Sequence, residues 1–424
     1  MKRAPVLVLL LSALLGTACQ HAARSGPVDV SIGEQTDALF ASLVVLQRDL
    51  HKHPELAGAE ARTQDVVARH LRQLGLEVQT GQYGRSVIAT LRGAYPGRTI
   101  AWRAELDALP SDFPDDVPHR SQTPGVQHGC GHDVHIAIAL GIASVLAARR
   151  ADLHGTIVFV FQPEEETFRG ARALVERSIW SALRVDEIYG LHVTALPVGQ
   201  VFVRSDEMFA HQRRVQLQLR GTLDSASVVS LTRGLERALA RMRRDATPWD
   251  LSKVNDPVWG LRSPNSAFAD YRIVNGMWAS RIEAGDQVLE TDVYDTSRDS
   301  VARLVVDVER AIDAAGYAAR RRDVRIVQAN PTVQNDTALT RDAVRRLRRV
   351  AGDTAVHLMQ GQVPFFNDDF AYFQQSTPGV YFFLGGSNAS EGIVAMNHAP
   401  GFRVDDEAMR VGVRLFATLL LARR

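Results

Sequence analysis

At 424 residues the chain is too long for one simple core, which points to two or three domains or to one large domain carrying an insertion. Its 46% hydrophobic and 23% charged content sits at the globular average and excludes a disordered, collagenous or disulfide-scaffold protein. A formal net charge of +1 removes the electrostatic case for a nucleic-acid partner or an anionic membrane surface.

At the N-terminus Lys2 and Arg3 precede an apolar run, Val6 to Leu15, that is too short to span a bilayer. The small residues Gly16, Thr17 and Ala18 then lead into Cys19. This pattern resembles a bacterial lipoprotein signal, in which the cysteine becomes the lipidated first residue, and departs from it at Gly16, where leucine is usual. Residues 1–19 therefore read as a signal segment and residues 20–31 as a tether. The mature protein is expected in the periplasm, touching the membrane only through a lipid anchor at Cys19. No later run reaches about 18 apolar residues.

Helical spacing from Ile32 to Leu74 is broken at the His53-Pro54 step, and Gly75 stops the second helix. Strands and helices then alternate. Ser86 to Arg92 and Thr99 to Leu106 read as strands, Val134 to Arg149 as a helix, Thr156 to Phe161 as a strand, Gly170 to Trp180 as a helix, and Glu187 to Leu191 as a strand. The run TIVFVF is apolar without alternation, as in a parallel strand buried on both faces. Beyond Val201 the pattern changes: an alternating strand at Val215 to Leu219, an amphipathic helix at Val228 to Arg243, a strand at Val288 to Val293 and a helix at Ser300 to Ala315 make a small α+β unit. The stretch Asp245 to Ser280, rich in Pro, Trp, Asn and Ser, carries no assignable period. From Asp323 the α/β pattern returns, with the strand VYFFLG and a last helix from Asp406. The expected architecture is a catalytic α/β domain with a central, mostly parallel sheet flanked by helices. Residues 32–205 and 323–424 build it, and residues 206–322 are an inserted α+β lid domain.

Four segments bring metal-ligand residue types to the ends of expected elements: Glu105-Leu106-Asp107, Cys130-Gly131-His132, Glu164-Glu165-Glu166 and His192. One such histidine, or three glutamates opening a helix, is ordinarily structural. Together they lie on one edge, because the carboxyl ends of parallel strands line a common crevice. Thiolate, imidazole and carboxylate suit zinc or a late first-row ion such as cobalt, nickel or manganese. Five or so ligands exceed the need of one open catalytic site and fit a pair of ions roughly 3.5–4 Å apart.

The chain resembles the amidohydrolase branch of metallopeptidase family twenty, the group of hippurate hydrolases, N-acyl-amino-acid deacylases and auxin-conjugate hydrolases. The matching motifs are RDLHKHPEL (Arg48 to Leu56), RAELDALP (Arg103 to Pro110), HGCGHDVH (His128 to His135), FQPEEE with GA (Phe161 to Ala171), LHVTALPVG (Leu191 to Gly199), DDFAYF with PGVYFFLGG (Asp368 to Gly386) and NHAPGF with DDE (Asn397 to Glu407). They run in family order across nearly the whole mature chain.

The resemblance implies that Cys130, His132, Glu166, His192 and His398 hold two divalent metal ions, with zinc first and manganese, cobalt or nickel as alternatives. It implies Glu165 as the general base toward a metal-bridged water, and Asp107 as a carboxylate orienting a ligand. Glu105 stands where aspartate is usual, Glu164 where alanine is usual, and Asp368 where glutamate is usual; the first two are expected to matter little. In the inserted domain the family's glycine-rich segment carries a histidine that completes the site, often that of a second copy of the chain. Here the matching residues, Arg220 to Ala226, hold no histidine. His211 is a substitute or, more simply, a surface residue, and Asn265, Asn275 and Arg281 are candidates for the residues that grip a substrate carboxylate. The implied function is metal-dependent hydrolysis of the amide of N-acyl amino acids or related conjugates. The alternatives are a carboxypeptidase or dipeptidase acting on exported peptides, or a metal- or peptide-binding lipoprotein of low activity. A homodimer through the inserted unit stands as an open expectation.

Overall fold

The computed structural model describes residues 27–242 and 251–423. The expected signal segment 1–19 with Cys19, and residues 20–26 of the expected tether, lie outside the described residues.

The main sheet has eight strands in the order Glu77–Thr80, Val87–Arg92, His154–Gln162, Tyr95–Glu105, Glu187–Pro197, Gly379–Ser387, Val201–Val203 and Val356–Leu358. Its four middle strands, from His154–Gln162 to Gly379–Ser387, pair in parallel. This is the expected mostly parallel sheet flanked by helices. The apolar run of His154–Gln162 is buried from Ile157 onward because helices cover both faces.

On one face pack the helices Pro27–Lys52, His132–Ala148 and Glu407–Leu421. The middle helix is apolar nearly all round and buried nearly all round, as a helix walled in by two neighbours and a sheet requires. Phe416 lies between Trp102 and Phe382, with ring centroids 5.0 and 5.1 Å away. Gly141 marks the closest approach of the three helices: a Cβ there would come within 2.5 Å of Val413 Cγ2 and 2.9 Å of Leu43 Cδ1. The opposite face is covered by the short helices Gly170–Val175, Ser178–Leu183 and Phe370–Gln374, joined by Leu261, Ala267 and Phe268.

A second sheet of six strands is antiparallel throughout. Asp286–Asp295 lies at its centre, and His211–Leu219 pairs between it and the edge strand Arg321–Gln328. The helices Ser225–Leu239 and Leu304–Ile312 close its core of Leu217, Leu231, Leu235, Leu289 and Val308.

Several elements differ from expectation. The helix expected over Gly170 to Trp180 is two helices, because Arg177 adopts an extended backbone and turns Trp180 onto Phe373, ring centroids 4.7 Å apart. The helix expected over Ser300 to Ala315 is likewise divided, into Arg298–Ala302 and Leu304–Ile312. The strand expected to end at Leu191 runs on to Pro197, since its parallel pairing with Gly379–Ser387 continues past His192. The unassigned stretch contains a helical turn, Leu251–Asn255, and the strand Tyr271–Val274, held by long-range pairing with Asp286–Asp295 rather than by local periodicity. Among the described residues no helix is long and apolar enough to cross a membrane.

Gly141→Val is expected to wedge the three helices apart and lower stability by about 1–3 kcal/mol, the usual cost of overpacking. Denaturant unfolding of the variant beside the parent checks this.

Candidate metal centre

The carboxyl ends of the middle strands deliver most of the polar residues of this site. Glu105 ends one strand, Glu164 to Glu166 follow the next by a turn, and His192 lies within the third. The long helix supplies the opposing side from its N-terminus. Gly131, its left-handed N-cap at φ 95°, lets Cys130 and His132 flank one sharp turn. A Cβ at Gly131 would stand 2.6 Å from Val193 Cγ2, so no larger residue fits.

Cys130 Sγ is 3.2 Å from His192 Nε2 and 3.1 Å from His398 Nε2. Glu166 Oε1 is 3.3 Å from His398 Nε2 and 3.8 Å from His132 Nε2. Two triads of donors, each within 4.8 Å of one another, follow: Cys130, His132 and His192, and Cys130, Glu166 and His398. Cys130 belongs to both. His132 Nδ1 donates to the Asp107 carbonyl at 2.7 Å and His192 Nδ1 to the Val193 carbonyl at 2.7 Å. A carbonyl only accepts, so in the neutral rings each Nε2 lone pair faces the centre. The buried atoms His132 Nε2 and Glu166 Oε1 have no hydrogen-bond partner. Buried polar atoms are rarely left so, and a cation between them supplies the missing interaction. The donor set fits a pair of divalent ions.

The electrostatics agree with neutral imidazoles around acidic groups. Burial brings His132 down to about 3, against the opposing pull of Glu166, and lowers His192 as well. Burial and then the Glu166 and Glu165 carboxylates push the Cys130 thiol well above its usual range, so a metal-free thiolate is disfavoured and cation binding has to displace its proton. Burial acts against the Glu166 carboxylate too, yet the nearby His398 imidazole, first, and His132 pull it down to about 2. Glu165 is pushed well up by burial and then by Asp368 and Glu166.

Around this ring stands a second layer of buried polar contacts. Asp107 receives the Glu165 N–H at 3.1 Å on one carboxylate oxygen and the Glu166 N–H at 3.0 Å on the other. It holds the glutamate turn as well as His132. Glu105, expected to matter little, is fully buried: it accepts from His135 Nδ1 at 2.8 Å and pairs with Arg103. His135 in turn accepts the Val193 N–H at 2.9 Å, beside His192. Arg103 also meets Asp368 at 3.1 Å and Asp369 at 2.8 Å, and Tyr381 donates to Asp368. A buried cation is thus shared among carboxylates that would otherwise be buried unpaired.

His398, the one exposed member of the ring, sits at φ 56° on a loop far along the chain. Its backbone N–H binds the Gly129 carbonyl at 3.0 Å, and Asn397 Nδ2 donates to the carbonyls of Cys130 at 2.9 Å and Val193 at 3.0 Å. Asn397 therefore ties three ligand-bearing segments together. It lies within the NHAPGF motif, yet a side chain that binds backbone carbonyls leaves no pattern of its own in a sequence.

All seven residues singled out from the sequence, Asp107, Cys130, His132, Glu165, Glu166, His192 and His398, meet at this one place. The lid candidates do not join them. His211 is buried rather than a surface residue, because its ring pairs with Glu207 at 3.1 Å. Arg281 pairs with Glu290 at 2.7 Å on an edge strand, Asn275 Oδ1 accepts the Met277 N–H, and Asn265 is exposed.

The model of peptidase family M20/M25/M40 matches residues 101–422. An N-acetylcysteine deacetylase of Bacillus subtilis is 28% identical over 395 residues, 90% of this chain and 97% of that protein. Thermostable carboxypeptidase 1 of Saccharolobus solfataricus is 27% identical over 385 residues, 89% of this chain and 94% of that protein. Among solved structures, a dinuclear metal-binding peptidase of family M20 from Bacillus subtilis has a TM-score of 0.70 at 27% identity, covering 91% of this chain and 98% of that one.

Asn397→Ala is expected to weaken retention of divalent cations about 10–100-fold, as loss of a group that orients ligands does, with the fold intact. Competition against a chromogenic chelator, with circular dichroism as the control, measures it.

Proposed function

This chain belongs to peptidase family M20/M25/M40, and from that membership we propose that it is a metal-dependent hydrolase cleaving the amide bond of N-acyl amino acids or related peptide-like conjugates. The resemblance drawn from its motifs is borne out by the family match and by relatives named as deacetylase and carboxypeptidase. The observation that carries the reading is the pair of donor triads sharing Cys130, with Glu165 beside them.

Cys130, His132, Glu166, His192 and His398 hold two divalent cations, zinc by the chemistry of thiolate with imidazole, and manganese, cobalt or nickel by availability. Such a pair polarises a scissile carbonyl and brings the pKa of water toward neutrality. The rest belongs to the chain. Glu165 Oε2, 3.8 Å from His132 Nε2, stands at the edge of the ring and is no member of the two triads that share Cys130. From there it takes a proton from the attacking water and returns it to the leaving nitrogen, so that the amine departs neutral. Asp107 acts through backbone N–H groups and positions Glu165 and Glu166 together. Asn397 and the Glu105–His135 pair hold the loops that bear His398 and His192.

A carboxypeptidase uses the same machinery on a different substrate, and the Saccharolobus solfataricus relative carries that name. A panel of N-acyl amino acids against dipeptides separates the two. Glu165→Gln is expected to lower kcat by about 10²–10⁴ while elemental analysis still finds close to two ions per chain, and chelation is expected to abolish turnover in the parent. Full turnover in the variant would sink the assignment of the base.

We propose further that the chain is exported and anchored through Cys19, a reading supported by the pattern of its first 19 residues. Cys19→Ser is expected to move the protein from the membrane fraction to the soluble one, read by fractionation and by incorporation of labelled fatty acid.

A further inference from the structure

The helix Ala61–Gln73 has Glu60 at its N-cap, yet the Glu60 side chain does not cap it. An N-cap side chain ordinarily accepts from the second or third helical N–H. Here Glu55, from the RDLHKHPEL motif, takes both: Arg62 N–H reaches its Oε1 at 3.0 Å and Thr63 N–H its Oε2 at 2.8 Å. The Glu60 carboxylate is thereby released and turns the other way. Its Oε1 accepts the Gly58 N–H at 2.8 Å and, 104 residues along the chain, the Glu164 N–H at 3.0 Å. Glu60 is fully buried and its Oε2 has no hydrogen-bond partner. Burial pushes the group up from the usual carboxylate range, so the contact calls for an acceptor oxygen rather than a charge.

Glu164 opens the turn that carries Glu165 and Glu166. Its backbone lies at φ 55°, in the left-handed region that a residue with a side chain adopts only where its surroundings hold it. Pro163 before it has no N–H to give. The next three N–H groups all leave the loop: that of Glu164 goes to Glu60, and those of Glu165 and Glu166 go to Asp107. Within the loop the bonds run the other way, into the Glu164 carbonyl from the Gly170 N–H at 3.2 Å and into the Glu165 carbonyl from the Phe168 N–H at 2.8 Å. These bonds close the loop on itself, and two buried carboxylates from separate segments orient it.

We propose that Glu60 is a positioning residue for the reaction: its carboxylate oxygen holds the main chain at Glu164 in its left-handed conformation and so places the base Glu165 and the ligand Glu166. The proposal rests on the amide-hydrolase reading above for the part it gives Glu165. Its physical basis is reach, since a misplacement of about 1 Å at a catalytic group can cost about 10²-fold in rate.

Three substitutions in the full, zinc-loaded chain separate reach from charge. Glu60→Gln keeps the length and an acceptor oxygen without the charge. Glu60→Asp keeps the charge and withdraws the oxygen by one methylene, and Glu60→Met fills the space with no oxygen at all. We would read kcat and KM on a panel of N-acyl amino acids, zinc retention by competition against a chromogenic chelator, and folding by circular dichroism and thermal unfolding. Glu60→Gln is expected to stay within about threefold of the parent, whereas Glu60→Asp and Glu60→Met lower kcat about 10–100-fold with KM nearly unchanged and weaken zinc retention by a similar factor. A merely structural role would lower the unfolding temperature and leave kcat of the folded protein alone. If Glu60→Met does not fold, the comparison of Glu60→Gln with Glu60→Asp decides. Parent-like kcat and retention in the shortened variant, or a Glu60→Gln variant as impaired as it, would overturn the role of Glu60 and leave the hydrolase reading standing on the parent's turnover. A parent that cleaves no amide but shows the expected pattern of zinc retention would do the reverse, and a parent that neither cleaves nor retains zinc would overturn both.

Discussion

Burying ionisable groups away from water is costly unless each finds a partner, and this protein concentrates that cost at one edge of one sheet. Arg103, Glu105, Asp107, His132, His135, Glu165, Asp368 and Asp369 are all buried within a chain of mutual contacts. At its centre a thiol stands between two imidazoles, held in a geometry its own solvation would not choose. The arrangement makes sense as a receptacle for cations, whose charge the acidic groups balance and whose coordination the unpartnered nitrogen and oxygen atoms await.

The remainder of the fold supplies rigidity to that receptacle. Parallel strands buried on both faces cannot slide without exposing apolar runs, so Glu105, the glutamate turn and His192 keep fixed relative heights. The long helix is locked by Gly141 against its two neighbours, and its N-terminus carries Cys130 and His132 into place through Gly131. Backbone hydrogen bonds from Asp107 and Asn397 convert that rigidity into side-chain positions. Function therefore draws on packing some distance from the chemistry, and hydrolysis of an amide by this family rests on a scaffold with little room to relax.

The metal-ligand residue types and the parallel core were legible because both are written locally, as an apolar run without alternation, a cysteine and histidine two apart around glycine, and glutamates directly after a strand; which of these bind metal came from the family resemblance. Family motifs carried His398, which no local pattern announces. What was not legible had long-range causes. Trp180 turns its helix toward Phe373, Tyr271–Val274 exists as a strand through its pairing with Asp286–Asp295, and His211 is buried by Glu207. Each depends on a residue distant in sequence or on space left by other elements. Glu105 shows the same limit from within a motif, since its weight comes from His135 and Arg103 rather than from its own identity.

By itself the sequence determined the chemistry available to this protein: which side chains can bind metal, which carboxylate stands beside them, and which strands must be buried. Those properties belong to residue types and short spacings, and short spacings survive any packing that keeps the strands parallel. Only the tertiary structure decided that Cys130 is common to both triads and that Asn397 fastens three segments. These are distances between residues far apart along the chain, and packing sets such distances where periodicity cannot.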